Sequence, residues 1–132
     1  MARTPLHPSA AYNLLDDLRR EIAEGYDIND ADQMGFTPLH SALVHDSYDA
    51  AKILIDAGAN PNLQDKWGNT PLKYVIGNNK KTVEIVILLL EHEADPTIEN
   101  HYGHSPLSLA KESLGTEHLI PLLEAAAQKR AT

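Results

Sequence analysis

His40 stands in the stretch GFTPLH, residues 35–40, three positions after Thr37 and two after Pro38. A histidine beside a hydroxyl can act as a general base or activate a nucleophile. The first question is therefore whether His40 does chemistry or holds the start of a helix. The other reactive types are soon weighed. His101 and His104 in HYGH are two nitrogen ligands where a metal centre needs three or four converging ones. They read as surface histidines. The stretch GNNKK at 77–81 lacks the Gly-x-x-x-x-Gly-Lys-Ser/Thr spacing of a phosphate loop. Neither Gly-x-Ser-x-Gly nor His-Glu-x-x-His occurs, and the carboxylates are scattered. With no cysteine, disulfides, thiolate zinc sites and a cysteine nucleophile are excluded. The expectation is a non-enzyme with no catalytic residue, metal or cofactor.

The stretch around His40 recurs. GNTPLK begins at Gly68 and GHSPLS at Gly103, successive spacings of 33 and 35 counted from Gly35, and TPLH at Thr4–His7 lies 33 residues before Thr37. Such periods mark repeat architectures. TPLHSA at 37–42, followed by AAKILIDAGANPNLQD at 50–65, resembles the ankyrin-repeat family. EIVILLLEHEADPTIEN at 84–100 and EIAEGYDINDAD at 21–32 are similar to the same segment one repeat later and one earlier. The resemblance covers nearly the whole chain. It implies an all-α solenoid of helix-turn-helix units joined by hairpin-like loops, one domain spanning 1–132. A degenerate capping repeat would occupy 1–34, full repeats 35–67 and 68–102, and a C-terminal cap 103–132. It also implies that His40 is structural, its ring bonded to Thr37 and to loop backbone. The equivalents of His40 are Lys73 and Ser108, neither of which preserves the imidazole.

The elements that position these residues follow from local rules. Thr37 suits an N-cap and Pro38 the first helical position. Leu39, Ala42 and Leu43 give one apolar face. A second helix is expected from Tyr48, stopped by Gly58 as a left-handed cap and by Pro61. Residues 82–90 are apolar almost all round, as a helix packed between two neighbours would be. At the N-terminal end Pro8 is expected to leave the first helix short or broken, and Ser9 to cap a longer one ending before Gly25. Leu14, Leu15, Leu18 and Ile22 would form its buried stripe, with Asp16, Asp17, Arg19, Arg20 and Glu21 facing water. The last helix should begin near Glu117, carry Leu119, Ile120, Leu122 and Leu123, and be distorted by Pro121. Two further departures stand out. Glu93 replaces the capping glycine, so that helix end is expected to be strained or differently capped. Two extra residues fall near 77–81, making a longer basic turn.

Net charge is −8 with a pI near 5.2, opposite to the basic face of a nucleic-acid binder. The longest apolar run, Ile85–Leu90, is too short for a bilayer, and the N-terminus lacks a secretory h-region. The expected setting is the cytoplasm, with no membrane and a monomer when free. Stacks of the resembled kind bind proteins through hairpin tips and the concave face. Of seven aromatics, Phe36, Trp67 and Tyr102 flank the tip glycines, with Met34 beside them. They are the expected anchors, joined by Lys66, Asn69, His101, His104, Val44, His45 and Asn78. Asp27, Asp30, Asp32, Asp65, Asp95 and Glu99 line the hairpins; some cap backbone amides, and the excess suits a basic partner, a toxin or an enzyme. Two functions stay open: inhibition or sequestration of one partner, an immunity-type role included, and scaffolding in a larger assembly.

Overall fold

The helical segments that begin at Pro38, Pro71 and Pro106 each start on a Ser/Thr-Pro pair. The computed structural model describes residues 6–77 and 82–131, and all regular structure among them is helical. The chain divides into two compact units, Met1–Asn60 and Pro61–Thr132. Thr4, Pro5 and most of the expected basic turn, including Asn78, lie outside the described residues.

The first unit holds α1 (Leu6–Ala11), α2 (Leu15–Ala23), α3 (Pro38–Val44) and α4 (Tyr48–Asp56). α1 packs on α2 and α3, and α2 on α4. Thr37, in extended backbone, caps α3 by accepting the amide of His40, and Pro38 follows at the first position, where its missing N–H is not needed. Leu6, Ala10, Leu18, Leu39, Ala42, Leu43, Ala50, Leu54 and Ile55 close the core. Each helix ends the same way. After α4, Gly58 (φ 97°) donates to Ile55 and Ala59 donates to Leu54, each at 3.0 Å, satisfying two terminal carbonyls. After α1 and α3 the left-handed residue is Asn13 (φ 58°) or Asp46 (φ 57°), with the same bonding.

Two expectations are corrected here. Ser9 is not a cap: it is buried inside α1, because Pro8 falls within the first turn of a short helix and leaves room for a separate α2. Leu14 is exposed rather than buried, since the break at Asn13 turns it out of the stripe; Leu18 is buried, with Leu15 and Ile22 half-buried.

The second unit holds a 3-10 helix at Pro71–Val75, then α5 (Thr82–Glu91), α6 (Pro106–Glu112), a 3-10 turn at Glu117–Leu119 and α7 (Ile120–Ala131). Leu72, Val75, Ile85, Val86, Leu89, Ala110, Leu119 and Leu123 form its core. Ser105 caps α6 and Ser108 answers by accepting the Ser105 amide. Where Lys73 takes that place, no acceptor reaches back. The segment is a 3-10 helix, and among the described residues the buried hydroxyl of Thr70 has no hydrogen-bond partner. Pro121 does not distort a helix, contrary to expectation. The 3-10 turn places the start of α7 at Ile120, so Pro121 sits in the first turn, where an N–H has no intrahelical partner. Glu93 keeps the standard helix ending instead of avoiding it: it is left-handed at φ 73°, with its amide on Leu90 and that of Ala94 on Leu89. α5 is not buried all round, since Ile87 is exposed. Among the described residues no helix is long and apolar enough to cross a membrane.

Candidate partner-binding site

Three turns share one construction. Asp32, Asp65 and Asn100 each accept two backbone amides on one side-chain oxygen. Asp32 takes those of Met34 and Phe36 at 2.8 and 2.9 Å, and Asp65 those of Trp67 and Asn69, both at 2.9 Å. Asn100 takes Tyr102 and His104 at 2.9 and 3.0 Å. The chain then closes on itself: the amides of Asp32, Asp65 and Asn100 donate to the carbonyls of Phe36, Asn69 and His104 at 2.8–2.9 Å. A short polar side chain thus fixes a tight turn through main-chain groups alone. Met34, Trp67 and Tyr102 occupy one equivalent position, and Phe36, Asn69 and His104 another. Phe36 is therefore not the counterpart of Trp67 and Tyr102; Met34 is.

In the first unit, Met34 and Val44 are exposed and His45 stands at the end of α3, its Nδ1–H donating to the Ser41 carbonyl at 3.0 Å. Phe36 is half-buried. Its ring lies nearly parallel to that of His40, with centroids 5.6 Å apart, and its carbonyl accepts the Nε2–H of His7 at 2.6 Å. His40 is fully buried. The Thr37 amide donates to its Nδ1 at 3.2 Å, so that nitrogen carries no proton. The Thr37 hydroxyl lies 2.9 Å from the same nitrogen, and the His40 amide donates to that hydroxyl at 3.3 Å. This reciprocal cap is a structural role; it leaves no access for a substrate.

In the second unit two turns, 65–69 and 100–104, are tied together. The His101 amide donates to the Trp67 carbonyl at 3.0 Å, and the Asn100 side-chain amide to that of Asn69 at 2.9 Å. Gln64 bridges the carbonyls of Gly68 (2.9 Å) and Glu99 (3.2 Å). A Cβ on Gly68 would lie 2.7 Å from Cδ2 of His101 and 2.9 Å from its amide nitrogen. The turns meet at that glycine. The Tyr74 hydroxyl donates to the second oxygen of Asp65; burial first, and then that bond, push the Tyr74 phenol well above its ordinary range. On this base Lys66 and His101 are exposed, with Lys66 Nζ 5.4 Å from the Trp67 ring. Trp67 is half-buried and Tyr102 is 74% exposed. Asn69 is buried and holds the turns; His104 is half-buried, its Nδ1 3.8 Å from Glu112.

The structure therefore brings Lys66, Trp67, His101 and Tyr102 onto one paired turn. Met34, Phe36, Val44 and His45 belong to the first unit. Sequence reasoning passed over Tyr12, which is 69% exposed with its ring 5.9 Å from that of His45. The signal was present: the 33-residue offset that pairs Thr4 with Thr37 also pairs Tyr12 with His45. Among the described residues no group of three or more His, Asp or Glu is placed to hold a metal.

Compared with known families, residues 39–90 match the family described as ankyrin repeats (many copies). No curated protein matches the chain.

Proposed function

We propose, from the premise that residues 39–90 are ankyrin repeats and that such repeats are generally protein–protein interaction modules, that this chain binds one protein partner through its hairpin turns. The observation that carries the reading is Tyr102, largely exposed on a turn whose backbone is already fixed. Tyr and Trp anchors dominate interface energetics, and a turn held before binding costs little ordering when the partner arrives. Trp67, Lys66 and His101 complete the patch in the second unit. In the first unit Met34 is the anchor, with Val44 and His45 contributing, while Phe36 is largely spent on His40. The net charge of −8 favours a partner with a basic surface. Inhibition or sequestration of a basic enzyme, an immunity-type role against a toxic one included, is the form of the reading that this charge supports.

Capture of the partner from the native host on the full chain, followed by titration of a Trp67→Ala/Tyr102→Ala variant, tests it. The expected result is a loss of about thirtyfold or more in affinity, the equivalent of about 2 kcal/mol, at an unchanged unfolding midpoint. A depressed midpoint with unchanged affinity would make both rings structural and end the reading.

A further inference from the structure

Tyr74 is bonded to the turn that displays Trp67, although it belongs to the 3-10 helix that follows, Pro71–Val75. Its hydroxyl donates to Oδ2 of Asp65, and the Asn69 side-chain amide makes a long bond to the same hydroxyl at 3.5 Å. Asp65 is buried, and its other oxygen accepts the amides of Trp67 and Asn69, so both carboxylate oxygens are in use. Asn69 carries the link onward. Its side-chain oxygen accepts the Asn100 amide at 2.9 Å, and the Asn100 oxygen takes the amides of Tyr102 and His104. One phenol is thus joined to the backbone beneath both rings, through Asp65 to Trp67 and through Asn69 and Asn100 to Tyr102.

The turn of the first unit is made without this tie. There Asp32 is half-buried, and its side chain accepts two backbone amides on one oxygen. The repeat offsets of 33 and 35 place Ser41 and Leu109 opposite Tyr74, and neither carries a phenol. The tie accompanies the loss of the ordinary helix start. Lys73 offers Thr70 no acceptor, the segment is 3-10 rather than α, and the next residue, Tyr74, reaches back to Asp65 instead. A carboxylate oxygen left unpaired at this depth is costly. Without the hydroxyl, Oδ2 of Asp65 turns toward water, and the amides held by Oδ1 move with it. Burial, and then this bond, keep the phenol protonated well above its ordinary range, so the donor is in place at any physiological pH.

We propose that Tyr74 is a positioning residue of the partner site, and that its hydroxyl, acting through Asp65 and Asn69, sets the angle at which the paired turns present Trp67 and Tyr102. The proposal rests on the reading of the chain as partner-binding. It adds a residue outside the tips, on which the affinity of the tips depends.

The test uses the full chain and Tyr74→Phe, which keeps the ring and its contact with Lys73 and removes the hydroxyl alone. Trp67 is the single tryptophan, so acrylamide quenching of its fluorescence reads the turn directly, with no partner present. The quenching constant should rise about twofold as the turn loosens. Amide shifts are expected at Trp67, Asn69, Tyr102 and His104, and none at Met34 or Phe36. Tyr48→Phe, which removes the phenol bonded to Asp46 at 3.1 Å in the first unit, is the control and should leave the quenching unchanged. Where Tyr74→Phe is fully folded, its affinity for the protein captured on the full chain should fall about threefold or more, because a loosened turn must be ordered on binding. Added to Trp67→Ala/Tyr102→Ala, it should cost nothing further. Unchanged quenching with amide shifts confined to residues 70–77 overturns the proposal, since the hydroxyl would then serve only the 3-10 helix. A further loss in the triple variant overturns it too, because Tyr74 would then touch the partner itself. If Trp67→Ala/Tyr102→Ala leaves affinity untouched, the partner-binding reading of the tips falls, while quenching and amide shifts still decide whether Tyr74 positions the rings.

Discussion

Arg130, near the end of α7, donates from Nη1 to the carbonyl of Glu93 at 3.1 Å, and Glu93 is the residue that ends α5 in a left-handed conformation. The Asn62 side chain donates to the same carbonyl at 2.9 Å. Two donors thus fix a backbone that its own side chain disfavours. Helix geometry, not the side chain, decides the ending here, because the carbonyls of Leu90 and Leu89 take the amides of Glu93 and Ala94 in this turn.

Glu93→Gly should therefore stabilise the protein by about 0.5–1 kcal/mol, since the carbonyl bonds are kept and the strain is removed. Gly58→Val should cost about 1–3 kcal/mol, all of it backbone strain, because a Cβ at Gly58 meets nothing within 4 Å. Chemical denaturation of the two variants reads both signs; a neutral Gly58→Val would mean the helix ends in another geometry.

Arg130 also lies 3.2 Å from Asp95. Burial alone would raise the Asp95 pKa, but hydrogen bonds from Thr97 and the charge and hydrogen bond of Arg130 outweigh it and hold the carboxyl below its ordinary 3.8. A carboxylate depressed in the folded state stabilises the fold above its unfolded pKa and stops doing so as pH falls through the folded one. Stability should decline as pH drops below about 3.8, and Arg130→Gln should bring the Asp95 titration, followed by carboxyl NMR, back upward. An Asp95 titration that ignores Arg130 would refute the pairing.

His40→Ala leaves the Thr37 amide and hydroxyl buried without their acceptor, at about 1–3 kcal/mol. It should lower the melting temperature and spare affinity in the folded fraction. Lys73→His is the converse. It returns an acceptor to the third helical position behind Thr70, and should add about 0.5–1 kcal/mol less what the Lys73–Tyr74 contact at 4.8 Å contributes. Loss of partner binding in His40→Ala at unchanged stability would give His40 a functional role.

Gly68→Ala should be worse than Gly58→Ala by at least about 1 kcal/mol. Both glycines are left-handed, but the methyl at Gly68 meets the His101 amide and the Asn100 Cα, which are backbone and cannot give way. Thermal unfolding of the pair measures the difference directly, and equal costs would mean the two turns separate easily.

What was legible in the sequence was whatever is decided within a few residues. The Thr37-Pro38 start, the Gly58 stop and the apolar face of Leu39, Ala42 and Leu43 depend on local geometry, and they came out as read. Misreadings arose where one element's end was set by another. Pro121 looked disruptive because the 3-10 turn that moves the start of α7 has no periodic signal of its own. Leu14 looked buried because Asn13, an uncommon but tolerated left-handed residue, hid the break between α1 and α2. At the site, tip residues could be picked from their glycines, but exposure could not. Phe36 and Tyr102 both flank a glycine, and only one of them is spent on a histidine ring.

The paired turns at 65–69 and 100–104 are held by the side chains of Asp65, Asn100, Asn69 and Gln64, by the close approach at Gly68 and by main-chain bonds. If the proposed partner-binding reading holds, the residues that hold these turns and the exposed ones that would meet a partner are largely different. The four outward positions form a surface whose chemistry can drift, or be randomised in a library, while the scaffold beneath stays constant. A lineage carrying this chain could follow a changing partner by altering the tips alone.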